Sequence, residues 1–340
     1  MHYIRFLKPP RVVGGGSSSN LNAKITITTD LGESFLFSQV LLVTRLESEN
    51  GENLDAGHEY LWKGQDGMRS IEVKIPLPQA LLRSKRRFKL LIRPKHESYA
   101  VDDFAAALYS GEGNEGRVVA VRSMSIDDAS RASAQQALVE RVFGSGTSKS
   151  RIWEEKGESI ARHIWYEHLG QLPSLRERLS HSNLRILELG AGCGIVGITL
   201  STAIPSSQIL LTDLPEASEI LTHNLALLPQ TRRKPTYQVL DWTEPLPPNV
   251  QSTIWDVVVV ADCTYNPDVV PDLVATLGNI AAGNSNVLVL LAMKVRHESE
   301  KVFFELMNTS DWVVEEKAAV LLPVLGGEDE EIDIYVFKRG

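Results

Sequence analysis

RILELGAGCG, residues 185–194, joins a strand-length apolar run to a glycine-rich turn and decides the fold. A glycine turn directly after a buried strand and before a helix lets a ligand approach the backbone closely. It also points helix N–H groups at that ligand. Glu188 stands at the strand's end, where burying an acid without a partner is costly. Asp213 follows 25 residues later, at the end of the next apolar run, placed to accept hydrogen bonds from ribose hydroxyls. Taken alone, a G-x-G-x-G turn also serves plain strand–helix packing.

Outward from this turn, strand-length runs alternate with helical stretches. Residues 185–189, 208–212, 236–240, 256–261 and 287–292 read as strands, and 194–203, 216–228 and 267–280 as helices. In the second helix Ala217, Ile220, Leu221, Leu225 and Leu228 share one apolar face. DVVVVA and VLVLLA are nearly all apolar, as strands buried on both faces must be. The alternation predicts a parallel sheet with right-handed crossovers. Two further runs, 312–320 and 332–337, are joined by the Gly- and acid-rich loop 326–331 without a helix. They predict an antiparallel hairpin at the sheet edge, making seven strands of an α/β, Rossmann-like fold.

Ligands of doubly wound sheets bind outside the carboxyl ends of the strands. Four such ends carry polar or glycine residues: Glu188–Gly194, Asp213, Asp241-Trp242 and Asp262-Cys263-Thr264-Tyr265. The glycine spacing and the hairpin ending do not match a dinucleotide site. A single-nucleotide, sulfonium-bearing cofactor, S-adenosylmethionine, fits better. Trp242 also reads as a hydrophobic plug, and Asp262 as a helix cap before Pro267.

From about Arg151 onward the chain resembles the seven-β-strand (class I) S-adenosylmethionine-dependent methyltransferases. Within them it is similar to the small protein-lysine methyltransferases marked by a D-x-x-Y motif. The resemblance rests on I-W-E at 152–154, E-L-G-A-G-C-G at 188–194, L-T-D-L-P at 211–215, L-D-W at 240–242, A-D-C-T-Y at 261–265 and the stretch 293–304. It implies that Trp153, Glu188, Gly190, Ala191 and Gly192 serve the methionine and sulfonium end of the cofactor, and that Asp213 and Leu214 serve the ribose. Asp241 and Trp242 would border the adenine, and Ala261 would offer a backbone contact. Asp262 and Tyr265 would be the catalytic pair where the target amine enters. After Trp153 the helix begins about a residue later than in the group's usual pattern. No metal is called for.

The first part of the chain reads differently. Residues 24–29, 40–44, 70–75, 88–92 and 117–121 are short strand-like runs divided by turn signals. A helix is expected over 127–142, then a Gly/Ser linker at 144–150. This sets a β-rich module at 1–145 and a methyltransferase domain at 146–340. Residues 1–150 hold 20 Lys+Arg against 17 Asp+Glu, a balance of +3 within a net charge of −8, so the remainder is strongly acidic. An acidic catalytic half suits a basic substrate segment. The basic cluster 83–89 reads as a charged strand edge, and nucleic acid is not the expected partner.

With 43% hydrophobic and 23% charged residues, disordered and collagen-like classes are excluded. No run of 18 apolar residues occurs, the first ten residues lack a signal peptide's apolar core, and only Cys193 and Cys263 are present. An intracellular setting, cytoplasmic and also nuclear, is therefore expected. The leading expectation is methyl transfer to lysine of a protein substrate, with the β module offering a protein contact. A small-molecule amine acceptor and a non-catalytic cofactor-binding interaction module stand as alternatives.

Overall fold

The run Ile71–Pro76 buries Ile71, Val73 and Ile75 and exposes Glu72 and Lys74, the period of a strand with one face on a core. The computed structural model describes residues 1–15, 19–29, 32, 34–84, 86–101, 117–126, 138–143, 150–155, 172–229, 233–264, 266–294, 301–322 and 324–340. The chain divides into two compact units. One comprises Met1–Ile160 with Leu322–Glu330, the other Ala161–Leu321 with Glu331–Gly340.

In the first unit the strands are β1 (His2–Val13), β2 (Asn20–Thr28), β3 (Gln39–Ser48), β4 (His58–Lys63), β5 (Ile71–Pro76), β6 (Phe88–Pro94), β7 (Val118–Val119), β8 (Val121–Ser123), β9 (Leu138–Phe143) and β10 (Ser150–Glu155). A short helix, α1 (Gln79–Ser84), precedes β6. They make a four-stranded sheet, β5-β2-β1-β7, and a six-stranded sheet, β10-β9-β8-β6-β3-β4. Ile25 and Ile27 of the first and Leu42, Leu46, Leu90 and Ile92 of the second meet in one core around Trp62. The Trp62 indole N–H is satisfied by Leu36 O at 2.8 Å, as a buried indole requires.

Several readings change here. β1 was not expected, because Lys8, Pro9 and Pro10 interrupt its alternation. Register shifts after Phe6 and Lys8 absorb the prolines. The single strand expected over 117–121 is two, since the chain crosses from one sheet to the other at Ala120. The helix expected over 127–142 is corrected at its end: Leu138–Phe143 is β9, paired antiparallel with β8 and β10, while 127–137 lie outside the described residues. Ladders on both sides override the helical pattern. β9 and β10 pair from either side of residues 144–149, and both belong to the first compact unit.

Buried charge ties this unit together. Arg141, 1% exposed, donates to Glu154 at 2.8 Å, to Ile4 O at 3.0 Å and to Ala120 O at 2.6 Å. It thereby links β9 to β10, to β1 of the other sheet, and to the crossing point. Burial pushes Glu154 above the ordinary carboxylate range, against the pull of Arg141. Burial would raise Glu140 as well, but Arg151 and Lys89 hold it below that range.

In the second unit α2 (Pro173–Leu179) leads into β11 (Arg185–Leu189), α3 (Ile195–Ala203), β12 (Gln208–Asp213), α4 (Ser218–Ala226), β13 (Thr236–Val239), α5 (Pro248–Ser252), β14 (Val257–Ala261), α6 (Val270–Ala281), β15 (Leu288–Met293), α7 (Lys301–Thr309), β16 (Trp312–Leu322) and β17 (Glu330–Arg339). The sheet order is β13-β12-β11-β14-β15-β17-β16. β11 to β15 run parallel, and β17 is antiparallel to β15. All residues of β14 and β15 are buried, as expected of strands covered on both faces. Strand order reverses between β11 and β14, which opens a crevice at their carboxyl ends.

Replacing Arg141 by Met leaves Glu154 and two carbonyls buried without their partner. A loss of about 3–5 kcal/mol is expected in urea unfolding of the full chain. Adding Glu154→Gln should return part of it; a single-mutant loss below about 1 kcal/mol would show that the network is solvated.

Candidate active site

The turn after β11 is fixed by two carboxylates. Glu188, 1% exposed, accepts the Gly197 N–H at 2.8 Å through Oε2, so it sits against the first turn of α3. Thr212 Oγ1 donates to Glu188 O at 2.7 Å. Asp213 Oδ2 accepts the Gly192 N–H at 2.7 Å, and its Oδ1 accepts the Leu214 N–H at 2.7 Å. An ionised carboxylate has about four lone-pair sites, so each Asp213 oxygen retains acceptor capacity.

Gly190 has φ +68°, and a Cβ there would stand 2.5 Å from Cys263 Sγ and 3.4 Å from Trp242 Cζ2. Only glycine suits both the left-handed backbone and the contact. The same contacts place the ends of β11, β13 and β14 together. Cys263 Sγ lies 3.1 Å from Ala261 O and 3.5 Å from Gly190 O. Ala191 and Ala261 are each 1% exposed, packed at the ends of β11 and β14. Ala191 N–H already donates to Thr212 O at 3.0 Å.

On the β13 side, Asp241 Oδ1 accepts the Thr243 N–H at 2.9 Å and its hydroxyl at 2.8 Å. The backbone bond first, then the hydroxyl, holds this carboxyl below its ordinary range. Thr276 of α6 donates to Trp242 O at 3.4 Å. Asp262 is 8% exposed with φ +54°, a left-handed backbone uncommon for a residue with a side chain. Its N–H donates to Ala292 O at 2.8 Å. Such backbone outliers concentrate at functional sites.

The structure thus brings Glu188, Gly190, Ala191, Gly192, Asp213, Leu214, Asp241, Trp242, Ala261 and Asp262 to the carboxyl ends of β11 to β14. Leu214 is exposed there. Trp153 lies in the first unit, on β10 opposite Glu140, and Tyr265 falls outside the described residues. Sequence reading passed over Asn224. It is buried on α4 and donates through Nδ2 to Cys193 O at 2.8 Å, so it buttresses the glycine turn from behind. A polar residue on an otherwise apolar helix face was the signal. Gly197 proves to be a packing glycine, since a Cβ would meet Leu211 Cδ2 at 2.2 Å.

A glycine turn after the first strand, held by a carboxylate at the end of the second, is the arrangement expected where a single-nucleoside cofactor binds. Together with the seven-stranded order and its antiparallel edge, this defines an S-adenosylmethionine-dependent methyltransferase. Residues 146–310 match the lysine methyltransferase family. Among similar proteins, UPF0665 family protein C23C4.06c of Schizosaccharomyces pombe is 26% identical over 95% of this chain and 98% of its own length. Protein N-lysine methyltransferase METTL21A of Mus musculus is 33% identical over 36% of this chain, and the match spans 55% of that protein. EEF1A lysine methyltransferase 3 of Xenopus tropicalis is 29% identical over 56% of this chain and 80% of its own length.

Gly190→Ala is expected to destabilise the protein by about 2–4 kcal/mol, from the Sγ overlap and the left-handed backbone together. Adding Cys263→Ala should recover the overlap and leave about 1–2 kcal/mol. Equal thermal unfolding of the single and double variants would show that the thiol contact is not the source.

Proposed function

We propose that the protein methylates a lysine side chain on a protein substrate, with the residues at the ends of β11 to β14 as its working site. The observation that carries this reading is the meeting of Cys263 and Trp242 at Gly190, which joins the donor-side turn to the D-x-x-Y segment. S-adenosylmethionine, when bound, supplies a methyl carbon already activated by positive sulfur. The glycine turn would admit its methionine end; a role for Trp153 rests on the resemblance alone. Asp213, with Leu214 beside it, would hold the ribose. Trp242 would flank the adenine and Asp241 would accept from its amine. Glu188 holds Gly197 and so acts as a positioning residue for the turn.

Transfer is an in-line displacement, so the protein must position two reactants and exclude water. A lysine ammonium must first lose its proton, because only the neutral amine has a lone pair. Asp262 would draw in and orient the ammonium, and Tyr265 would wall its path by cation–π contact. The buried, left-handed setting of Asp262 suits a carboxylate held for one task. The first unit, outside the matched family region up to residue 145, would contact the protein partner. The setting would be cytoplasmic and also nuclear; among the described residues no helix is long and apolar enough to cross a membrane.

Incubating cell extract with labelled S-adenosylmethionine and the enzyme tests the reading. A labelled protein supports it; a labelled metabolite moves the acceptor to a small amine, and no label leaves a cofactor-binding module. Asp262→Ala should abolish transfer while cofactor affinity by calorimetry stays within about twofold, and equal loss of both would move Asp262 to the donor side. Asp213→Ala should weaken cofactor binding at least about tenfold, the scale of a charge-assisted hydrogen bond. An unchanged dissociation constant would remove that role.

A further inference from the structure

The first unit contains a cavity of about 440 Å³ that the methyl-transfer reading does not use. Arg5 and Leu7 of β1, Thr26 and Thr28 of β2, Phe35 and Arg69 line it. Along β2, Ile25 and Ile27 enter the core, so the alternation turns Thr26 and Thr28 to the opposite face, under the cavity. Thr28 is 4% exposed, and its buried Oγ1 has no hydrogen-bond partner among the described residues. A buried hydroxyl left so is a standing desolvation penalty that a polar ligand would relieve.

Both charged residues of the described lining are arginines, and Arg5 also feels the buried Glu154 carboxylate. Arg5 and Arg69 line it, and among the described residues no carboxylate does. The Arg69 guanidinium carbon lies 4.8 Å from the centre of the Phe35 ring. Arg69 is exposed, and its hydrogen bond to Met68 O at 3.3 Å engages one of five donors. The Arg5 guanidinium lies 5.6 Å over the Tyr3 ring and donates to Thr29 O at 3.5 Å. Both forks are thus braced before any ligand arrives, which reduces the entropy lost on binding. Leu7 at 53% and Phe35 at 39% exposed add an apolar rim. A small free anion has no use for such a rim, but a side chain next to a carboxylate does.

We propose that this cavity docks an acidic segment of a partner protein, its carboxylate met by Arg5 and Arg69 and an adjacent apolar side chain by Leu7 and Phe35. This deepens the reading of the first unit as the partner-contacting part and is independent of the chemistry of the second. The paired arginines supply charge-assisted, bidentate recognition of a carboxylate, and the rim supplies burial.

The test is fluorescence anisotropy of the full chain with a fluorescein-labelled Gly-Glu-Leu-Glu-Phe-Glu-Gly peptide, against the same peptide with Gln for Glu. The acidic peptide should bind at least about tenfold tighter, more weakly as salt rises. Arg69→Glu should weaken it about tenfold or more with the melting temperature and S-adenosylmethionine affinity unchanged. Arg69→Gln serves as the second variant should the charge reversal impair folding. Equal binding of the Gln peptide, or indifference to both Arg69 variants, overturns the proposal. So does displacement by millimolar free glutamate alone, which marks a small-anion site. An RNA oligonucleotide that binds more tightly than the peptide and is lost in Arg69→Glu overturns it in favour of nucleic acid. Asp30 and Glu33 lie outside the described residues; binding seen only in Asp30→Asn/Glu33→Gln would mean that the chain's own loop fills the cavity, and overturns it too. The two readings fail separately. Without peptide binding the pocket falls while extract labelling continues, and without a labelled protein the methylation reading falls whatever the peptide does.

Discussion

Two backbone amides, those of Gly192 and Gly197, are each held by a carboxylate, Asp213 and Glu188 respectively. The candidate site depends on this pair of bonds. They anchor the turn after β11 at its middle and at the start of α3, where Gly190 packs so closely on Cys263 and Trp242 that no side chain fits. Glu188 can be buried because it caps orphan helix donors. Asp213 lies less deeply buried, with acceptor capacity to spare. The two acids therefore hold two amides of one turn, Glu188 from a buried position and Asp213 with acceptor capacity left over.

The first unit solves a different problem with the same chemistry. Its two sheets share an apolar core around Trp62, yet Arg141, Glu154, Glu140 and Lys89 are buried as well. Buried ion pairs add little net stability over apolar packing, but they penalise alternatives that leave one charge unpaired. Arg141 reaches β10, β1 and the crossing at Ala120, so a slipped register would strand it. This network fixes which strands meet, while the cavity under Arg5 and Arg69 offers charge toward the outside.

Much of the second unit was legible because its signals are local. VVVVA at 257–261 and LVLLAM at 288–293 announce strands buried on both faces, and the glycine turn announces its own geometry. The first unit was harder. β1 carries prolines and bulges, β4 has only Trp62 buried, and β9 reads L-V-E-R-V-F with charges at buried positions. A periodicity reading expects charge outside, and it fails where charges are paired inside. Asn224 escaped notice for the same reason: its partner, Cys193 O, lies 31 positions away.

By itself the sequence determined the alternation of strands and helices, the edge hairpin, the glycine turn and the acids at strand ends, because each is a property of adjacent residues. Only the tertiary structure decided that Cys263 and Trp242 meet Gly190, that Glu188 serves a helix amide, that β9 is a strand, and that Arg5 and Arg69 flank one cavity. The physical reason is that these depend on pairing across the chain. Burial and hydrogen-bond satisfaction are settled between segments far apart in sequence, and no local pattern records which partner completes them.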